Sequence, residues 1–191
     1  MEYEYKFVDS PVRRLQLVAR RDKLVAILWE NDRPNRVKLG TLRENDAHPV
    51  LVETARQLDE YFSGQRTHFD IDLQFEGTDF QKRVWAALLT IPYGETRSYL
   101  EIAEQIGNPN AVRAVGAANG RNPISIIAPC HRVIGSSGTL TGFAGGLAAK
   151  ERLLRIEATS VRSAEYAQPA MTRAYWTRAA SSHQRSLFDA L

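Results

Sequence analysis

Ser98-Tyr99-Leu100-Glu101-Ile102-Ala103-Glu104-Gln105-Ile106-Gly107-Asn108-Pro109-Asn110-Ala111-Val112-Arg113-Ala114-Val115-Gly116 reads as two short helices about a tight turn. Ser98 and Glu101 have capping-box form: the hydroxyl takes an N–H of the first turn and the carboxylate reaches back to the cap N–H. The first helix runs to about Ile106, Gly107 to Asn110 break it, and a second begins near Ala111. Two short helices joined by a Gly-containing turn are the layout of a helix-turn-helix, whose second helix enters a DNA groove. That second helix carries Ala111, Val112, Ala114, Val115, Gly116, Ala117 and Ala118 around a single arginine, Arg113. It has few side chains to read base edges, and its small residues permit close approach to a backbone. Two readings stand: a tightly packed core helix, or a helix with one exposed face marked by Arg113.

Downstream lies Asn122-Pro123-Ile124-Ser125-Ile126-Ile127-Ala128-Pro129-Cys130-His131-Arg132, which ends in the only cysteine of the chain. A thiol becomes a strong nucleophile where a base or positive field favours the thiolate. Here a stiff, proline-punctuated apolar run delivers it beside a histidine and an arginine. The competing reading is a buried structural cysteine. After Val133-Ile134 come two glycine-rich loops, Gly135-Ser136-Ser137-Gly138 and Thr141-Gly142-Phe143-Ala144-Gly145-Gly146. A helix follows from Leu147 and is expected to end near Glu157. Neither loop matches the phosphate-cradling or dinucleotide fingerprints, so no nucleotide cofactor is expected.

Upstream, Thr78-Asp79-Phe80-Gln81 is another capping box, opening a helix with an apolar stripe through Phe80, Val84, Leu88 and Ile91 and a stop at Ile91-Pro92-Tyr93-Gly94. Before the Glu76-Gly77 boundary the pattern changes. Leu15, Leu17 and Ala19 alternate with polar residues, Arg20 to Lys23 turn, and Leu24 to Trp29 resume as a more buried strand, which makes a hairpin. Residues 31–49 read as loop. Leu51, Ala55, Leu58 and Phe62 fall at helical spacing before Gly64, and Phe69, Ile71, Leu73 and Phe75 alternate as a further strand. No catalytic pattern occurs in this half, and His48 and His68 read as ordinary surface histidines. It reads as scaffold.

The chain has 191 residues, 43% hydrophobic, enough for one or two compact cores. A single cysteine excludes an internal disulfide and any multi-thiolate zinc site, so no metal is expected. The polar, acidic start and the lack of a spanning apolar run point to a cytoplasmic protein. Charge is unevenly placed. Residues 1–77 hold 12 basic against 14 acidic side chains (−2), residues 78–157 hold 9 against 6 (+3), and residues 158–191 hold 4 against 2 (+2). The cysteine therefore shares its half with a modest positive field suited to a polyanion.

The string Pro129-Cys130-His131-Arg132-Val133-Ile134-Gly135 is preceded by Asn122-Pro123 and followed by Phe143-Ala144-Gly145-Gly146, Lys150 and Glu157. It resembles the active-site segment of the O6-alkylguanine-DNA alkyltransferases, the methylated-DNA–protein-cysteine S-methyltransferases. The likeness spans roughly residues 10–158, including Ile91 to Gly94, Ser98-Tyr99 and the Ala111–Gly116 run. It implies an α+β protein: a ribonuclease H-like N-terminal α/β domain with a small antiparallel sheet over 1–77, a helical, winged-helix-like domain with the helix-turn-helix over 78–158, and a C-terminal tail over 159–191. It implies no cofactor and a monomer acting on double-stranded DNA that carries O6-alkylguanine. The alkyl group passes once and irreversibly to the protein, with O4-alkylthymine left open as a second substrate.

The resemblance also assigns roles. Cys130 is the acceptor, His131 a general base through a bridging water, and Glu157 its orienter. Asn122 pins the turn before the cysteine. Tyr99 donates to guanine N3 and crowds the neighbouring phosphate. Arg113 fills the gap left by the flipped nucleotide, with Ala111, Val112 and Ser136 against the DNA. Val133, Phe143, Ala144 and Lys150 belong to the base pocket, Phe143 standing where some relatives have tyrosine. Cysteine at 130, rather than tryptophan, separates the chain from the non-transferring alkyltransferase-like proteins.

Two other function classes fit parts of the pattern: a cysteine hydrolase using Cys130 and His131, and a non-catalytic DNA-binding module. Hydrolases usually separate nucleophile and base in sequence, and a pure reader would need polar residues on the Ala111–Ala118 helix. Past Ala158 the composition suggests partial disorder. There Gln184-Arg185-Ser186-Leu187-Phe188 is similar to a motif that docks bacterial DNA-processing proteins on the replication sliding clamp, with Gln184, Leu187 and Phe188 as its anchors.

Overall fold

In the computed structural model, β1 (Glu2–Val8), β2 (Leu15–Arg20) and β3 (Lys23–Trp29) form an antiparallel ladder, and β4 (Thr41–Glu44) joins the outer side of β1 in parallel, giving the order β3-β2-β1-β4. The structure describes residues 2–167, so Gln184, Leu187 and Phe188 lie outside the described residues. The β2–β3 hairpin turns as its sequence predicts, with Arg21 in the left-handed region at φ 56°. The sheet is mixed rather than wholly antiparallel. The expected loop over 31–49 contains β4, whose four residues are all exposed and so carry no alternating apolar signal. β1 pairs both ways through a strand whose apolar residues are two tyrosines, a phenylalanine and a valine among charges.

The alternating Phe69–Phe75 segment does not become a strand of the sheet. It touches the free edge of β3 only at Leu24, whose N–H donates to Asp72 O and whose carbonyl accepts from Gln74 N, both at 2.9 Å. Farther along the same edge, Ile27 N donates to Pro123 O at 2.9 Å. The outer groups of β3 are thus shared between two segments, and neither can extend into a ladder.

Helix α1 (Pro49–Phe62) starts on a proline and ends at Ser63 before Gly64, which has φ 76°. It buries Leu51, Thr54, Gln57, Leu58 and Tyr61. His48, expected at the surface, is 8% exposed: it occupies the position before α1 without a side-chain capping bond, and its Nε2 lies 3.3 Å from Glu4 of β1.

Both predicted capping boxes form. Thr78 and Gln81 open α2 (Asp79–Leu88), and Ser98 and Glu101 open α3 (Tyr99–Gln105). A 3-10 turn at Pro109–Ala111 leads into α4 (Val112–Gly120). One face of α4 buries Val115, Ala118 and Asn119 while Arg113, Ala114 and Ala117 remain exposed, which settles the two readings of this helix in favour of an open face. The Trp85 indole of α2 ties the buried face, donating to Ala118 O at 2.9 Å.

Helix α5 (Leu147–Ala167) runs well past Glu157, where its end was expected, because no Gly or Pro interrupts it there. The described chain up to Ser160 forms one compact unit. Its main core unites Leu15, Leu17, Leu24 and Ile27 of the sheet and Leu51, Leu58 and Tyr61 of α1 with Ile124, Ile126 and Ile127 before the cysteine and Leu153 of α5. Among the described residues no helix is long and apolar enough to cross a membrane.

Candidate active site

The cysteine is presented by a tight turn gripped from both sides. Asn122 Nδ2 donates to Ala128 O at 2.8 Å and its Oδ1 accepts from Ile124 N at 3.1 Å, so one side chain staples both ends of the Ile124–Ala128 loop. Ala128 N closes the loop onto Ile124 O at 3.0 Å. This forces Ile126 to φ 77°, a conformation that costs a β-branched residue about 1–3 kcal/mol. Burial of Ile124 and Ile126, each 0% exposed, offsets it, since a fully buried aliphatic side chain contributes roughly 1.5–3 kcal/mol. Arg36, from the loop after β3, completes the grip: it donates to the Asn122 carbonyl while paired with Asp32 at 2.5 Å.

A 3-10 turn then carries Cys130–Arg132, all three side chains being buried. Cys130 Sγ sits 3.9 Å from Ser125 Oγ, a contact at the long limit for sulfur. Burial pushes the thiol above its ordinary value, opposed by Asn122, Ser125, Arg36 and Lys150. The resting group is therefore a thiol, and its attack requires a base.

The next residue in sequence carries an imidazole. His131, 0% exposed, meets Glu157 Oε1 through Nε2 at 2.8 Å, while Nδ1 is buried without a partner among the described residues. A carboxylate facing Nε2 requires the proton there, which leaves Nδ1 as the acceptor. Burial lowers the proton affinity of His131, against the pull of Glu157, so the imidazole rests neutral. Glu157 is itself fully buried. Burial raises its carboxyl, but hydrogen bonds from His131 and Arg132 and the charge of Arg132 outweigh that and hold it at about 2. Arg132 supplies the compensating charge, with Nη2 at 2.9 Å from Oε1 and Nε at 2.9 Å from Oε2, and it anchors itself on Ile91 O at 2.6 Å. Gly94 N adds a bond to Oε2 at 3.1 Å.

Around this centre the loops are tied together. A two-residue parallel ladder pairs β5 (Arg97–Ser98) with β6 (Val133–Ile134), which sets Tyr99 at the head of α3 beside the loops after the cysteine. Thr141 Oγ1 donates to the Tyr99 hydroxyl at 3.0 Å. Lys150 is 0% exposed, and its Nζ donates to Val133 O at 2.6 Å and Thr141 O at 2.9 Å. It ties together the two segments that carry these carbonyls. Phe143 stands edge-on to Trp29 of β3, with ring centroids 5.2 Å apart, and to His131 at 6.4 Å. Gly145 lies so close to the Trp29 ring that a Cβ there would come within 2.5 Å of it.

The structure therefore brings Cys130, His131, Glu157, Asn122, Val133 and Lys150 into one buried centre, with Tyr99, Phe143 and Ala144 half-buried at its margin. On the helix-turn-helix Arg113 is exposed and Ala111 and Val112 are half-buried, and Ser136 is exposed in the loop after β6. Sequence reasoning missed four contributors. Arg132 stood in the quoted string without a role, although its place after His131 was a usable signal. Tyr61, Trp29 and Arg36 come from the half read as scaffold, and no local spacing links them to the cysteine.

A family model described as "6-O-methylguanine DNA methyltransferase, DNA binding domain" matches residues 79–159, and one described as "6-O-methylguanine DNA methyltransferase, ribonuclease-like domain" matches residues 4–75. A methylated-DNA–protein-cysteine methyltransferase of Mycolicibacterium paratuberculosis is 53% identical over 154 residues, covering 81% of this chain and 92% of the relative. The protein of that name from Methanosarcina acetivorans is 63% identical over 153 residues, covering 80% of this chain and 97% of the relative. The crystal structure of Mycobacterium tuberculosis OGT in complex with DNA is similar with a TM-score of 0.76 at 47% identity, covering 84% of this chain and 94% of that one.

Proposed function

Because this chain belongs to the 6-O-methylguanine DNA methyltransferase family, we propose that it repairs alkylated DNA by direct reversal, moving the alkyl group from O6 of guanine onto its own Cys130. The observation that carries the reading is a buried thiol whose sequence neighbour, His131, is oriented by a charge-compensated Glu157 and keeps Nδ1 open. In the displacement, Cys130 Sγ bonds to the alkyl carbon as the carbon–O6 bond breaks, and that electron pair leaves with guanine. The thiol proton passes through a bridging water to His131 Nδ1. The charge developing on the departing base is met by a hydrogen bond from Tyr99 to N3, then neutralised by a proton from water, and the hydroxide so formed takes the proton held by His131. The thioether has no route back, so each molecule acts once.

Residues 78–158 carry the DNA-binding and acceptor roles, and residues 1–77 support them. The base reaches the thiol only when turned out of the duplex, at a cost of a few kcal/mol. Arg113 fills the gap, and Ala111, Val112 and Ser136 lie against the backbone. Backbone carbonyls near Cys130 and Val133 take the guanine amino group, a backbone N–H near Ala144 faces O6, and Phe143 walls the pocket. Alkylated O4 of thymine is a second candidate substrate for the same displacement. The protein acts as a monomer in the cytoplasm, with Gln184, Leu187 and Phe188 as a docking motif for the sliding clamp.

Incubation with a duplex holding one O6-methylguanine per molecule tests the reading. The expected result is one lesion restored per protein chain, and none by Cys130→Ala, which still binds the duplex. Restoration of many lesions per chain, or undiminished repair by Cys130→Ala, overturns it.

A further inference from the structure

Tyr61 lies on the inner face of α1, fully buried, where its hydroxyl donates to Glu157 Oε1 at 2.7 Å and stands 3.5 Å from His131 Nε2. The six contacts on the carboxylate divide into two sets. Arg132, through three of them, and Gly94 N fix its place and charge. Tyr61 and His131 meet on Oε1, which Arg132 also reaches, and Tyr61 is the neutral donor beside the imidazole there. We infer that Tyr61 is a positioning residue for the acid–base relay: its hydroxyl holds Oε1 against His131 Nε2, fixes the tautomer with Nδ1 open, and tempers the basicity of the imidazole. The inference rests on the function proposed above.

The physical basis is competition for one acceptor. Each donor to a carboxylate oxygen reduces what that oxygen offers to the next, so a phenol on Oε1 weakens the pull of Glu157 on an imidazolium. The phenol is suited to the task because it stays protonated: burial, then the neighbouring Glu157 charge, pushes its ionisation well above the usual tyrosine value. It is also held rigidly, with its ring edge-on to Tyr93 at 6.0 Å and against Phe62 and Phe69. The groups facing this centre are Glu157 and Lys150 of α5, Arg132 and Cys130 of the cysteine turn, Tyr93 after α2, and Tyr61 itself.

Tyr61→Phe keeps the ring and removes the donor. His131 then holds its proton more tightly, and the acid limb of the alkyl-transfer rate moves to higher pH by roughly half a unit to one unit, which slows transfer about threefold to tenfold on that limb. A purely structural role would change the rate without moving the limb. The 15N resonances of His131 give a second readout that needs neither DNA nor alkyl transfer and so stands whatever the fate of the proposed function. They should report Nε2–H in the unmodified protein and a higher titration midpoint in Tyr61→Phe. Difluorotyrosine placed at position 61, a stronger donor of nearly the same shape, should move the midpoint down. Equal midpoints in all three proteins, or shifts in the same direction for both replacements, overturn the inference.

Discussion

Residues 122–134 and the N-terminal sheet with α1 serve one centre by different means. The first brings Cys130, His131 and Arg132 as consecutive residues of a single turn, stapled by Asn122 eight residues earlier. The second brings Tyr61 from a helix, Trp29 from a strand end and Arg36 from a loop, with no regular interval among them. A string records chemistry when one turn supplies it. Support delivered from several elements leaves only the periodicity of the elements themselves.

The largest expected effect probes where the two regions meet, on Glu157. Glu157→Gln leaves the buried Arg132 without a compensating charge and should lower stability by roughly 3–5 kcal/mol in urea unfolding. Loss of the orienter should also slow transfer about a hundredfold or more. The same centre sets an acid limit. The unfolded chain protonates its histidine near pH 6.5, where folded His131 resists, and its carboxyl near 4.5, where folded Glu157 remains charged down to about 2. In both cases the unfolded state binds more protons, so stability falls as pH drops below about 6.5 and falls further between about 4.5 and 2. The lower step should flatten in Glu157→Gln, and an equal slope in both proteins would detach Glu157 from it.

A smaller effect tests the scaffold half alone. Trp29→Ala empties the space behind Phe143 and Gly145 and should cost roughly 3 kcal/mol. It should also slow alkyl transfer although residue 29 is remote from the cysteine in sequence; transfer at the normal rate in the folded variant would return Trp29 to an ordinary core role. The smallest effect on stability belongs to Arg113→Ala, within about 0.5 kcal/mol because the side chain is exposed and makes no ion pair among the described residues. Transfer from duplex should nevertheless weaken several-fold more than reaction with free O6-benzylguanine, as filling a flipped-base gap requires. Equal losses on both substrates would remove that role.

What the sequence made legible follows the same division. The capping boxes at Thr78 and Ser98 and the β2–β3 hairpin are short-range features, and each appears where its residues predict it, whereas the pinning by Asn122 was implied only by the resemblance. The exposed β4 and the parallel pairing of β1 were missed because an edge strand open to water need not alternate. Phe69–Phe75 shows the converse: alternation predicts a strand, but the β3 edge it meets is shared with Pro123. His48 and Tyr61 were hidden for a third reason, since burial by a distant element leaves no local mark.

The most direct test of the whole account is peptide-mapped mass spectrometry after reaction with an excess of O6-methylguanine duplex. The account predicts one added methyl group per chain, on the peptide containing Cys130 and on its sulfur, with no further gain over time. Methylation elsewhere, more than one group per chain, or none on folded protein would contradict it.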